Sequence, residues 1–438
     1  MRAAWLLLLP VSVAAGQNTL QLSLKRSVEI ALTPEGSPRV ALAQQSIKQA
    51  QSRATEARAA FLPNLDGTVQ ERNQTVNLRT FGLNFQLPFG FALPSLAGPF
   101  TVFDARASGQ QSVLNFSDIR KFQAAKSAIS TAGAEFDATR NQVSDQVARA
   151  YLTCLRADAA LETARANVDL SRALERLANS QKTAGTGTGI EVTRAQVQLA
   201  NDRQRLIVAE NDRRRAGLQL LRIMGVNLDV DVQLTDTLSY QPVDLASMEA
   251  AIEQARKQRA EIKAQQRREE TARLNFDAVR AERLPSLGAF GDYGSTGLEP
   301  IGARPTRTYG IQLKVPVFDG GRREARRAES YSQFQQEKIR SRDLDLQVEL
   351  DVRLALDSVR SAQAQVETAR EGLMLAQNEL EQAQRRYQAG VTNSIEVTDA
   401  QTRLDRARDN QIAALYNYNL ARIDIATATG AIGDYVNQ

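Results

Sequence analysis

The 438-residue chain contains no histidine, one cysteine and few aromatic residues, 5% in all. Without histidine, Ser/His/Asp and Cys/His catalysis and zinc sites built on imidazole are excluded in one step. The single cysteine, Cys154, permits no internal disulfide, and its place in an apolar helical pattern makes it a packing residue. There is no Gly-rich phosphate loop and no cluster of metal ligands, so neither an enzyme nor a bound cofactor is expected. Beyond the N-terminus no stretch approaches the roughly 18 consecutive apolar residues of a membrane-spanning helix. Charge of one sign is also missing. Lys and Arg number 55 against 50 Asp and Glu, and the two signs are interleaved along the chain. That pattern reads as solvated helix faces, not as a nucleic-acid surface.

What is present begins with Arg2, the apolar run Trp5-Leu6-Leu7-Leu8-Leu9 and the small residues Ala14-Ala15-Gly16. This is the layout of a secretory signal peptide over residues 1–16. No cysteine follows it, so a lipid anchor is not expected.

The mature chain repeats itself with an offset of 205 positions. Residues 185–196 read GTGTGIEVTRAQ and residues 390–401 read GVTNSIEVTDAQ. The same offset superimposes Glu162-Thr163-Ala164-Arg165 on Glu367-Thr368-Ala369-Arg370, Leu199 on Leu404, Arg203 on Arg408 and Gly225 on Gly430. Earlier in each half, Leu62-Pro63-Asn64-Leu65 matches Leu284-Pro285-Ser286-Leu287. Agreement of several segments in one order points to an internal duplication.

Each half reads as helix, β-hairpin, very long helix, sharp turn and returning helix. The first helices are expected over about Leu24–Phe61 and Leu245–Arg283, each ended by Leu-Pro. Helical periodicity then gives way to Val, Thr, Phe, Tyr and Gly with partial alternation, as in Thr308-Tyr309-Gly310-Ile311-Gln312-Leu313-Lys314-Val315. Two strands per half are expected, with loops near Arg79–Gly98 and Thr296–Pro305. Asp118–Lys182 and Gly320–Gln388 contain no proline; as helices of roughly 65 residues they would be about 100 Å long. Steps of three and four residues link Val359, Ala362, Val366, Ala369, Leu373, Ala376, Leu380, Ala383 and Tyr387, a coiled-coil seam. Val397, Ala400, Leu404, Ala407, Gln411, Ala414 and Tyr418 continue it on the returning helix, and Cys154, Ala157, Leu161, Ala164 and Val168 repeat it in the first half.

The domain plan that follows is a signal peptide (1–16), first-half N-terminal helices (17–62), a first β-hairpin (63–118) and a first helical hairpin (119–225). A connecting segment (226–242), a second-half helix (243–284), a second β-hairpin (285–319), a second helical hairpin (320–430) and a short tail (431–438) complete it. Four strands are too few to close a barrel with a usable lumen. Three chains would pool twelve, within the range of outer-membrane barrels, and closure removes the exposed edges. A closed barrel is the remaining way for a chain without apolar helices to cross lipid.

This duplicated plan resembles the TolC-type outer membrane efflux family over essentially the whole mature chain. The residues that carry the resemblance are the twin turns Ala184-Gly185…Ile190-Glu191-Val192 and Tyr387-Gln388-Ala389-Gly390-Val391…Ile395-Glu396-Val397-Thr398-Asp399-Ala400. The resemblance implies a fold that is mainly α with a small β part. It implies a homotrimer in which a 12-stranded outer-membrane β-barrel, in contact with outer-membrane lipid, is continued by a periplasmic α-helical barrel. Its implied partners are a periplasmic adaptor protein and an inner-membrane pump or ABC transporter. The implied function is the passive exit duct of a tripartite efflux or type I secretion system, gated at its periplasmic tip. Residues 226–243 would form the belt around the helical barrel.

The resemblance also assigns residues. Glu396 and Asp399, three apart on the first turn of the returning helix, match acids that ring the aperture; complementing the helix dipole is the simpler explanation for both. Their first-half counterparts are Glu191 and Arg194, so the acidic pair occurs once. Tyr387 matches a tyrosine that holds the closed state by bonding an acid on the neighbouring hairpin, here Glu191, although Tyr387 also completes the seam. A second lock is expected to be weakened because Thr392 stands where a basic residue is common. Gly185, Gly390 and Val391 are the candidate adaptor-docking tips; the glycines serve equally well to reverse the chain. Arg213-Arg214-Arg215 and Arg322-Arg323…Arg326-Arg327 read as solvated or ion-paired. Phe81, Phe85, Phe89, Phe91 and Phe100 make the first hairpin loop apolar. A different class, a periplasmic adaptor or structural coiled-coil protein without a channel, stays open on sequence grounds.

Overall fold

The computed structural model describes residues 19–33, 35–81, 95–242 and 247–437. The signal-peptide segment and the loop residues Phe85, Phe89 and Phe91 lie outside these ranges. The chain divides into two compact units, one comprising residues 1–45, 134–263 and 342–438, the other 46–133 and 264–341. It is mainly helical with a small β part, as expected.

The elements run β1 (Thr19–Leu22), α1 (Leu24–Leu32), α2 (Pro38–Ala59), β2 (Asn64–Asn77), a 3-10 turn (Leu78–Phe81), β3 (Leu96–Leu114), α3 (Phe116–Thr183) and α4 (Gly189–Met224). The second half follows with β4 (Asp231–Leu234), α5 (Met248–Gln258), α6 (Ala260–Ala281), β5 (Ser286–Gly297), β6 (Arg304–Lys314), α7 (Arg322–Gln388), α8 (Ser394–Thr429) and α9 (Ile432–Asn437).

In the second unit the two hairpins join into one antiparallel sheet of order β2-β3-β5-β6. Its register sorts side chains by chemistry. Leu65 pairs with Gly109, Ala289 with Ile311, Gly291 with Tyr309 and Leu287 with Leu313, so these positions share one face. The opposite face carries Asp66, Thr68, Gln70, Asp104, Arg106, Ser108, Asp292 and Thr308. There Arg106 bridges strands, at 2.9 Å from Asp104 and 3.1 Å from Asp292. Among the described residues no helix covers the apolar face: Leu65, Tyr309 and Ile311 are 77%, 80% and 76% exposed. Strands of 11 to 19 residues meet the roughly 9–11 residues needed to cross a bilayer.

In the first unit the expected seams are buried. Ala376, Leu380, Ala383 and Tyr387 of α7 pack with Val397, Ala400 and Leu404 of α8, and Leu170, Leu174 and Leu177 of α3 close over them. Farther along, Val359, Ala362 and Val366 pack with Ala414, Tyr418 and Ala421. Cys154 sits in the largest cluster with Val147, Tyr151, Leu220 and Leu221, and burial pushes its thiol up to about 12. It is a packing residue with little thiolate character.

Two features differ from the sequence reading. Residues 226–242 are not wholly irregular, because β4 pairs in parallel with β1 at the chain's start. Tyr151 fixes that pairing, its hydroxyl lying 3.0 Å from the Leu22 carbonyl and 2.7 Å from Asp236. Of the two readings of Arg213, solvated or ion-paired, the second holds: it binds Asp158 at 3.0 Å, Asp231 at 3.2 Å and the Val232 carbonyl, and so staples β4.

The first helix of each half is also broken, at residues 33–37 and at Arg259. Pro34, Gly36 and Pro38 stop the first helix locally, and no such residue stands at the second break; the two breaks share a packing partner. Gly225 and Gly430, duplicate partners, cap α4 and α8 in the left-handed conformation with φ of 73° and 79°. A β-carbon on Gly225 would lie 2.5 Å from the Gly36 carbonyl oxygen, and one on Gly430 would lie 2.9 Å from the Arg259 amide. Each break seats its backbone on the glycine that ends the fourth helix of the same half. A continuous helix there would present side chains where only bare backbone fits.

Candidate functional site

The turns that reverse the helical hairpins are duplicate copies in geometry as well as sequence. The Val391 amide donates to the Arg386 carbonyl at 3.0 Å, and its counterpart Thr186 donates to Gln181 at 3.0 Å. Both are Schellman closures, which require a left-handed residue at the first position past the helix. Gly185 and Gly390 supply it with φ of 75° and 72°, and space beyond each is open. Val391 at the second tip is exposed.

The helices that return from the tips start differently. In the first hairpin Glu191 folds back to accept the Thr188 amide at 2.8 Å and its hydroxyl at 3.2 Å, satisfying a donor the helix start leaves free. In the second hairpin Asn393 caps α8 by accepting from Ile395 at 3.1 Å. Its Glu396, the counterpart of Glu191, accepts from the Thr392 hydroxyl and pairs with Arg386 at 3.0 Å. Asp399 is exposed and has no hydrogen bond or ion pair among the described residues. Of the two candidate aperture acids, Glu396 is therefore tied to its own hairpin and Asp399 carries an open negative charge. Thr392, the expected weak point, serves Glu396.

Tyr387 and Glu191 line one cavity of about 30 Å³ together with Arg194, Ser394 and Gln401. Tyr387 is 6% exposed, and its hydroxyl and that of Ser394 are buried without a hydrogen-bond partner among the described residues. Burial, then the negative charge of Glu191, pushes the Tyr387 phenol above its ordinary value. The two residues are brought together, but the carboxylate of Glu191 is bonded to Thr188. Such a cavity is large enough for one water molecule with polar partners on both sides.

Sequence reading missed a buried polar layer about two to four helical turns behind the tips. Gln401 donates to Ser171 at 2.7 Å, Ser171 donates to Asp202, and Arg205 reaches Asp202 at 3.5 Å and Asp405 at 3.2 Å. Its signal was available. Gln198, Asp202 and Arg205 follow steps of four and three, as do Gln401, Asp405 and Arg408. These stripes lie beside the apolar seam and were hidden by a search for apolar residues alone.

The outer membrane efflux protein family matches residues 30–226 and 251–431. The chain belongs to this family. It is thereby an outer-membrane protein, of a family of transport channels. Among relatives, the pyoverdine export outer membrane protein OpmQ of Pseudomonas putida is 25% identical over 397 residues, 89% of this chain and 82% of that protein. The outer membrane protein TolC of Vibrio cholerae is 25% identical over 315 residues, 69% of this chain and 71% of that one. The fold is shared with the Campylobacter jejuni CmeC outer membrane channel, at a TM-score of 0.78 and 16% identity over 93% of this chain and 85% of that one. The Vibrio cholerae protein VceC gives 0.76 at 19% identity, over 93% and 96% of the two chains.

Proposed function

We propose that this outer-membrane efflux protein works as a passive homotrimeric exit duct of a tripartite efflux or type I secretion system. Three copies of the β2-β3-β5-β6 sheet would close a twelve-stranded barrel, and the hairpin tips would gate the periplasmic end. One observation carries this reading: the sheet exposes an apolar face, while its other face holds the ion-paired Asp104, Arg106 and Asp292. In a barrel the first face meets lipid and the second lines a watery lumen. In a water-soluble adaptor the apolar face would be left in water, with two open edges, β2 and β6, free to aggregate.

An adaptor protein would dock at Gly185, Gly390 and Val391, where the backbone reverses and Val391 is presented to solvent. An inner-membrane pump or ABC transporter would supply the energy. Three Asp399 carboxylates would attract cations at a narrow opening, with Glu396 contributing less because Arg386 already compensates it. Tyr387 would restrain the closed state through the cavity it shares with Glu191.

The reconstituted trimer tests this. Asp399→Ala is expected to lower cation preference and raise closed-state current, and Glu396→Ala is expected to do so less. Equal currents in both variants and the parent would remove these acids from the aperture. A parent protein that washes from membranes without detergent and runs as a monomer unboiled would remove the duct itself.

A further inference from the structure

A second cavity, of about 470 Å³, lies between α3, α4 and α8. Its volume falls in the range of small-molecule sites. One side is small and apolar, formed by residues such as Ala160, Ala164 and Val208; the other carries Asp202, Asp212, Asp405 and Asp409 against the single cation Arg205.

The hydrogen bonds show which of the two buried carboxylates, Asp202 and Asp405, is less compensated. Asp202 accepts from the Ser171 hydroxyl and from Gln198 at 3.1 Å, and Arg205 adds a contact at 3.5 Å. Asp212 lies 3.9 Å from Arg215. Asp405 receives only Arg205, at 3.2 Å through Oδ2. Its Oδ1 is buried without a partner among the described residues, in a residue 6% exposed. Arg408, three residues on along the same helix, spends its hydrogen bond on Asn167. A buried carboxylate oxygen with no donor is costly and marks a place where a positive charge is missing.

A compact metal ion does not fit the requirement, because no group of three metal-ligating side chains is assembled among the described residues. The apolar wall calls for a ligand with a hydrophobic body. We infer that this cavity binds an amphipathic organic cation, its charge at Asp405 and its apolar body against Ala160, Ala164 and Val208. The site stands apart from the tips and does not depend on how they gate.

A pH dependence follows. Burial and the charge of Asp202 push the Asp405 carboxyl up to about 6, against the opposing pull of Arg205 and Arg408. The charged groups facing it are Asp202, Arg205 and Asp212 from α4, and Arg408 and Asp409 from its own helix. The α3 lining offers the neutral Thr163 and Asn167. Since the chain has no histidine, no side chain with an unperturbed pKa titrates between about pH 5 and 8.

The test titrates tetraphenylphosphonium into the full-length detergent-solubilised protein by calorimetry at about pH 8. Expected are saturable binding, a loss of about tenfold or more in affinity in Asp405→Asn, and a similar loss in Ala160→Phe, which fills the cavity without touching a charge. Lowering the pH to about 5 should weaken binding to the parent, a second readout that needs no substitution. The neutral analogue triphenylphosphine oxide should be indifferent to Asp405→Asn. Absence of saturable binding, as when a second copy of the chain fills the cavity with its own cation, overturns the inference. So does binding that neither Asp405→Asn nor acidification weakens.

Discussion

Asp405 shows how far one buried group can depart from its ordinary chemistry. Its folded pKa of about 6 lies above the ordinary aspartate value of about 3.9, so the native state takes up this proton before the unfolded chain does. The sign follows from that order. Above about pH 6 the native state bears the full cost of the buried charge, and stability from this group improves as pH falls from about 6 toward 4. Asp405→Asn should therefore stabilise the protein by about 2 kcal/mol at neutral pH and gain nothing on acidification. Thermal unfolding of both proteins at about pH 7.5 and 5 checks this; an equal acid response in the two would sink it. The sequence showed Asp405 only as one charge among many. Its burial depends on α3 and α4 closing over α8, contacts between residues some 200 positions apart, as in Arg205 with Asp405.

Among the elements, the helix ends decide most. Four left-handed glycines close the four long helices, but they do different work. Gly185 and Gly390 face open space, whereas Gly225 and Gly430 lie against the backbones of Gly36 and Arg259. Alanine at Gly390 should cost about 1 kcal/mol, the strain of the left-handed conformation alone. Alanine at Gly225 or Gly430 should cost about 2–4 kcal/mol, because packed backbone must also move. Denaturant midpoints of the three variants should separate into these two classes; equal midpoints would show that the breaks do not rest on the caps. The long helices, their seams and their turns were legible because proline, glycine and apolar spacing act locally. The break after α1 was written locally too, in Pro34, Gly36 and Pro38, whereas the break after α5 has no such breaker and accommodates what arrives from the far end of its half. The β1–β4 pairing was equally hidden, joining Thr19–Leu22 to Asp231–Leu234 across the whole first half.

For the whole molecule, the sheet poses the problem that assembly must solve. Its apolar face and its two open edges are stable only where lipid covers the one and neighbouring strands cover the others. Ile311→Arg puts a charge on the apolar face of β6. By analogy with other barrels it should cost about 2–4 kcal/mol near the membrane midplane. The variant is expected to yield less heat-modifiable oligomer in outer-membrane fractions, whereas Gln312→Arg, on the polar face, is expected to assemble as the parent does. Equal losses in the two would mean that the faces are not distinguished by lipid.

The linear chain contained the duplication, the element types, the seams, the tip turns and the likeness to an export family, because periodicity and breakers are properties of neighbouring residues. It did not contain which carboxylates are compensated. Glu396 with Arg386, Glu191 with Thr188 and Asp405 with its unpartnered oxygen differ through distances set only when the helices pack. Charge pairing and desolvation fall off over a few ångströms, and such proximity between distant residues exists only in the folded protein.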